Sequence, residues 1–164
     1  MSENYQIIEN FMPEQYCSEL AELLGGLDFP WFNYNIMVNP YFESEFPFFA
    51  HMVYFDNQPN SQYFSAFKPL VEKLEARALL RIRANNFPRH HKIVEHGYHD
   101  DYEDPEVKTA VYYPNTNNGS TILENGVKVD SVANRLLLMN TAIKHTSTSH
   151  TDAKYRYSVI INFL

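Results

Sequence analysis

Seven histidines are spread along the chain, and two of them stand two residues before an aspartate, in His99-Asp100-Asp101 and His150-Thr151-Asp152. In an extended strand residues i and i+2 project to the same side, so either pair can turn both ligand atoms toward one cation. One more imidazole would complete a facial set of two histidines and a carboxylate, a donor set that suits ferrous iron. For His99 and Asp101 that third ligand is available in His145, several strands downstream, whereas His150 and Asp152 are followed only by a strand without histidine. His99, Asp101 and His145 are therefore the candidate metal ligands, and His150/Asp152 is expected to be a solvated turn. A histidine–aspartate pair is a common chance pattern, so the reading needs a second signal.

That signal lies in the run Tyr155-Arg156-Tyr157-Ser158-Val159-Ile160-Ile161-Asn162-Phe163. The two-residue period of a strand puts Arg156, Ser158 and Ile160 on one face and Tyr155, Tyr157 and Val159 on the other. Burying an arginine in so apolar a strand is costly unless it meets an anion. Either one of the 20 acidic side chains supplies it, or Arg156 and Ser158 await a dicarboxylate, for which the planar two-pronged guanidinium is well shaped.

The elements that must position these residues are mostly strands. Two helices are expected early, over Pro13 to Leu24, with Cys17, Leu20, Ala21 and Leu24 as its apolar stripe and Gly25-Gly26 as its stop, and over Gln62 to Ala76, with Phe64, Phe67, Val71 and Leu74 on one side and Pro69 inside. An aromatic stretch between them, Phe29 to Tyr54, could hold edge strands or a lid; Trp31-Phe32-Asn33-Tyr34 could shape an entrance or sit in an outer core. From Leu80 the pattern is short strands: Leu80, Ile82 and Ala84 alternate with Arg81, Arg83 and Asn85, where Arg81 and Arg83 either face the pocket or pair with acids outside, and further strands are expected at Ile93–Glu95, Thr109–Tyr113, Ser120–Leu123, Val127–Val129, Arg135–Met139 and Tyr155–Phe163. Asn125-Gly126 is a hairpin turn. Helices followed by many short strands read as a closed or double-sheet β architecture with the helices outside one sheet.

Bulk properties narrow the function classes. The 164 residues, 45% of them hydrophobic, suit one compact domain, 1–164. A net charge of −7 argues against a nucleic-acid partner, which calls for clustered Lys and Arg. No apolar run approaches the roughly 18–20 residues of a membrane helix, and the start lacks a secretory pattern, so a cytoplasmic location is expected. Cys17 is the only cysteine, which excludes an intramolecular disulfide and argues against a cysteine-based zinc site.

Together these residues resemble the double-stranded β-helix (jelly-roll, cupin-like) superfamily of Fe(II)/2-oxoglutarate oxygenases, and within it the prolyl-4-hydroxylase-like branch, including small stand-alone members of bacteriophages. The similarity runs from Ile82 to Phe163: YHDDYEDPEVKTAVYYPN is similar to the HxD strand, acidic loop and following strand, NNGSTIL to the G-x-T strand, NRLLLMNTAIKH to the strand before the distal histidine, and KYRYSVIINF to the last strand. The resemblance implies a β-helix core over 79–164 supported by a helical and aromatic segment over 1–78. It implies that His99, Asp101 and His145 hold Fe(II), and that Arg156, Ser158 and Tyr113 bind the far carboxylate of the cosubstrate 2-oxoglutarate. It further implies O2 as oxidant, ascorbate as a candidate reductant, a peptide or small-molecule substrate, with proline the candidate side chain, and succinate and CO2 as products. For a viral protein the compartment would be the host cytoplasm. Val111, Ile160 and Leu138 are expected as apolar walls of the site. Three features depart from the family pattern: Arg156 lies 11 positions beyond His145, Asn85-Asn86-Phe87-Pro88 stands where a tyrosine turn is usual, and the G-x-T strand has a single glycine. The alternatives are a non-catalytic β-helix binding module, a zinc site on the same triad, for which neither an HExxH motif nor an evident general base is present, and a nucleobase oxygenase.

Overall fold

The computed structural model describes residues 5–33 and 48–164. In chain order its elements are β1 (Tyr5–Ile8), α1 (Glu14–Gly25), β2 (Phe32–Asn33), β3 (Phe49–Phe55), β4 (Gln58–Pro59), α2 (Phe64–Lys73), β5 (Leu79–Pro88), β6 (Lys108–Tyr113), β7 (Ser120–Leu123), β8 (Lys128–Asp130), β9 (Arg135–Asn140), β10 (His145–Ser147) and β11 (Tyr155–Phe163). The strands form two sheets. The larger runs β1-β9-β6-β11-β5-β3-β2, with β4 paired to β3, and the smaller runs β10-β7-β8. Every pairing is antiparallel.

Alternation along the strands makes two cores. The inward residues of the large sheet, Val111, Tyr113, Leu137, Met139 and Ile160, pack with Leu123 and Val129 of the small sheet. The outward residues, among them Ile82, Ala84, Tyr112, Val159 and Ile161, pack under the helices through Cys17, Leu20 and Leu24 of α1 and Phe67 and Leu70 of α2. The helices thus cover one face of the large sheet, as the strand pattern requires. Pro69 lies inside α2 and takes one donor from it; the complete burial of Phe67 and Leu70 on either side holds the helix through that gap. No helix among the described residues is long and apolar enough to cross a membrane.

Several expectations need correction. Ile93–Glu95 is not a strand: Glu95 makes only an isolated bridge to Thr148. There the Ser149 hydroxyl accepts from the Val94 N–H at 2.8 Å and donates to the Lys92 carbonyl at 2.8 Å, so a side chain fills the ladder position. Leu138 is not a wall of the site. It packs in the outer core, and β9 turns Leu137 and Met139 inward instead. His150 is not solvated: it is wholly buried, with Nε2 donating to the Ala153 carbonyl at 3.1 Å, while Asp152 is exposed and accepts from the Asn118 N–H. In the aromatic stretch, residues 34 to 47 lie outside the described residues. Its flanks are β2 and β3, and Trp31 stacks on Tyr157 at 5.9 Å against the outer core.

Candidate active site

His99 and His145 are set side by side by the backbone. Each donates its N–H to the other's carbonyl, at 3.0 and 2.9 Å, which makes an isolated antiparallel bridge and puts the two rings 4.6 Å apart. His145 opens β10, whereas His99 lies outside any continuous strand and Asp101 in a bend. The i, i+2 geometry read from a strand is thus supplied by one bridge and a turn. One ligand atom from each of His99, Asp101 and His145 lies within 4.8 Å of the other two.

Hydrogen bonds aim these atoms. Nδ1 of His145 lies 3.0 Å from the Ile143 carbonyl, and Nδ1 of His99 lies 3.4 Å from the Gly97 carbonyl, the residue two positions back in each case. A carbonyl only accepts, so Nδ1 carries the proton and the Nε2 lone pair is left for a metal. Burial, reinforced by His145 alongside, pushes the His99 pKa down, which keeps the ring neutral and able to ligate. Burial alone would raise the Asp101 pKa. The Arg81 guanidinium, with His145, Arg83 and the Asn162 amide, more than reverses this and holds it at about 2. Arg81 donates to Asp101 Oδ1 at 2.7 Å, and Thr109 Oγ1 and Asn162 Nδ2 each lie 3.2 Å from Oδ2.

On the inward face of β11, Arg156 is 1% exposed. Nε donates to Ser131 Oγ at 2.9 Å, Nη2 donates to the Ser120 carbonyl at 3.3 Å, and the guanidinium sits 5.0 Å from the centre of the Phe87 ring. Nη1 is buried without a partner. Among the described residues no carboxylate pairs with this cation. Burial draws its pKa down to about 10, so the group remains charged at neutral pH. Ser158 receives a long bond of 3.4 Å from Asn85 Nδ2, and the Oδ1 of Asn85 is buried and unpartnered. Tyr113 is fully buried and donates to Thr121 Oγ1 at 2.8 Å. A buried cation with an idle N–H, and the idle hydroxyl of Ser120 besides, is the environment a small carboxylate would complete.

Asn162, Thr109 and the role of His96 were missed in the sequence, and Arg81 was visible only as a strand residue that could face the pocket or pair with acids outside. Arg81 and Asn162 face each other across the β5–β11 ladder, and Thr109 joins them from β6. Their places on the inward faces follow from strand alternation, but their meeting at Asp101 depends on a cross-strand register that no local pattern gives. His96 stacks on Phe87 at 5.3 Å and shares a hydrogen bond with Ser147 Oγ at 2.9 Å. Burial, followed by the charge of Arg156, lowers its pKa to about 4.

No family model matches the chain, and no curated protein matches it. Solved structures do. A Trichoplax adhaerens prolyl hydroxylase, in complex with a hypoxia-inducible-factor peptide fragment, superposes with a TM-score of 0.69 at 19% identity, over 99% of this chain and 84% of that one. A Pseudomonas putida prolyl-4-hydroxylase gives 0.61 at 15% identity over 99% and 93%. A viral collagen prolyl hydroxylase from Paramecium Bursaria Chlorella virus-1, in its 2-oxoglutarate complex, gives 0.59 at 10% identity over 99% and 98%. The chain has the fold of the Fe(II)/2-oxoglutarate oxygenases. The oxygenase fold is a double-stranded β-helix, here made of the two facing sheets, and the match to prolyl hydroxylases spans nearly the whole chain. It covers the N-terminal helical part as well as the strands in which the resemblance was legible.

Proposed function

We propose that this protein is an Fe(II)- and 2-oxoglutarate-dependent dioxygenase. His99, Asp101 and His145 hold the metal, and Arg156 binds the far carboxylate of 2-oxoglutarate with help from Ser158 and Tyr113. The observation that carries the reading is a pairing of two features inside one small β-helix. Three ligand atoms converge within 4.8 Å, and a fully buried arginine on β11 keeps an N–H without a partner. Iron with this cosubstrate and O2 supplies the oxidation of an unactivated C–H bond, with release of succinate and CO2.

The chain's own contribution is placement. The His99–His145 bridge fixes two imidazoles with their protons turned away from the metal. Arg81 keeps Asp101 ionised. Phe87 covers the Arg156 guanidinium, and Val111 and Ile160 belong to the apolar core between the two sheets, which would keep bulk water from a bound carboxylate. The neighbours in fold suggest the substrate class, a peptidyl side chain and proline first among them, though that step is analogy of fold. Anaerobic titration with Fe(II) and then 2-oxoglutarate should give a visible charge-transfer band. Aerobic turnover should form succinate, and His99→Ala, Asp101→Ala and His145→Ala should each abolish it. Absence of the band with tight Zn(II) binding would point to a zinc site, and absence of any metal binding to a non-catalytic module. A screen of proline-containing peptides and small molecules for stimulated succinate release would identify the substrate.

A further inference from the structure

We propose that Arg81, braced by Asn162, is a positioning residue that occupies one oxygen of Asp101, so that the carboxylate offers the metal only the other. The proposal rests on the reading of His99, Asp101 and His145 as metal ligands and assigns a role to two residues outside that set. The two stand opposite each other across the β5–β11 ladder. Arg81 Nε donates to Asn162 Oδ1 at 2.8 Å, and its Nη2 donates to Asp101 Oδ1 at 2.7 Å. Because the arginine can only donate, the Asn162 oxygen must face it, which turns the Asn162 amide nitrogen to the other side. From there Nδ2 donates to Thr109 Oγ1 at 2.9 Å and reaches Asp101 Oδ2 at 3.2 Å. Thr109 Oγ1 has a single proton, divided between Asp101 Oδ2 at 3.2 Å and Thr141 Oγ1 at 3.1 Å.

The two oxygens of Asp101 are therefore unequal. Oδ1 holds a short charge-assisted bond, while Oδ2 has only long contacts that a metal can displace. Nor is this an ordinary surface ion pair, because the two side chains are only 14% and 4% exposed. Arg81 is pinned further, with Tyr102 5.5 Å from its guanidinium. The consequence concerns coordination number. In an octahedral site, a carboxylate bound through both oxygens would take a position that the two donor atoms of the cosubstrate and O2 together require. Claiming Oδ1 with an arginine prevents that.

The test is titration of the full-length, metal-free protein with Co(II), read by its d–d absorption, for the wild type, Arg81→Met and Arg81→Lys, with thermal melts to show that each variant is folded. Arg81→Met should bind Co(II) about 10- to 100-fold more weakly, and its d–d bands should shift in position and intensity as the second oxygen becomes available. Arg81→Lys keeps a charge but cannot bridge Asn162 and Asp101, so its spectrum should change with a smaller loss of affinity. If Arg81→Met does not fold, the Arg81→Lys spectrum decides. Wild-type affinity and wild-type bands in the folded variants would overturn the proposal. Failure of the wild type to bind Co(II), or binding indifferent to His99→Ala, would instead overturn the metal-site reading itself.

Discussion

Gly119→Ala should damage cosubstrate binding without touching the metal ligands. A Cβ at this position would lie 2.7 Å from Arg156 Cδ, 3.0 Å from its Nε and 2.9 Å from Asn117 Oδ1. The first of these is about 0.7 Å inside the distance at which ordinary contact begins. Little can give way. Asn117 Oδ1 accepts from the Gly119 N–H at 3.0 Å, and Arg156 is held by Ser131, Ser120 and the face of Phe87. Overpacking of this kind costs roughly 1–3 kcal/mol, and a chain of this size loses about 2–4 °C of melting temperature per kcal/mol. If the strain is relieved by moving the guanidinium, 2-oxoglutarate should bind up to about 100-fold more weakly, because a hydrogen bond to a charged group contributes roughly 1.5–3 kcal/mol and each ~1.4 kcal/mol is tenfold in affinity. The assay is anaerobic titration of the Fe(II) protein with 2-oxoglutarate, with Co(II) affinity and thermal melts measured alongside. Gly126→Ala is the control: its φ of +86° makes the substitution strained, but a Cβ there meets nothing within 4 Å, so it should lower stability and leave cosubstrate affinity alone. Unchanged melting and unchanged 2-oxoglutarate affinity in Gly119→Ala would refute the packing argument and, with it, the fixed position assigned to Arg156.

Three further outcomes follow from the same contacts. Arg156→Met should weaken 2-oxoglutarate binding by roughly 100-fold or more, as loss of one partner in a buried charge pair does, while Co(II) affinity stays at the wild-type value; calorimetry of both ligands checks this. Asp101, held at about 2 in the folded protein against 3.8 ordinarily, contributes about 2 kcal/mol that is fully present above pH 3.8 and lost as pH falls through 2. Urea unfolding of metal-free Asp101→Asn should accordingly be flatter across that acid range. His96 loses stability in the same direction of pH, though there the fold favours the neutral form: its folded pKa near 4 lies below the ordinary 6.5, so the unfolded chain takes up the proton first. Stability should therefore fall by about 3 kcal/mol from pH 6.5 down to 4 and show no further loss from this group below that, and His96→Gln should remove the slope.

What the sequence made legible divides along physical lines. The strands that alternate apolar and polar residues, such as β5 and β11, were readable because their period is local, and so was the outward placement of the helices. Leu138 was misread because β9 begins Arg135-Leu136-Leu137-Leu138, a run without alternation, in which only pairing with β6 decides which leucine turns inward. β10 was not anticipated as a strand because its three residues, His145–Ser147, carry no apolar period and are ordered by the ladder to β7. The HxD pair and His145 were visible as residue types, and their proximity within one site depends on the His99–His145 bridge. Arg81 was seen as an inward or outward alternative, and which of the two holds could be settled only by the tertiary position of Asp101.

The position of β11 has a consequence for biosynthesis. This strand is translated after all the strands of its sheet, yet it lies between β5 and β6 and joins them. Until it leaves the ribosome, the nascent chain carries two open edges with unpaired backbone donors, a state prone to pairing with other chains. The same strand brings Arg156, Ser158 and Asn162. Closure of the sheet and completion of the pocket are thus one late event, and a partly made chain has no pocket that a ligand could stabilise.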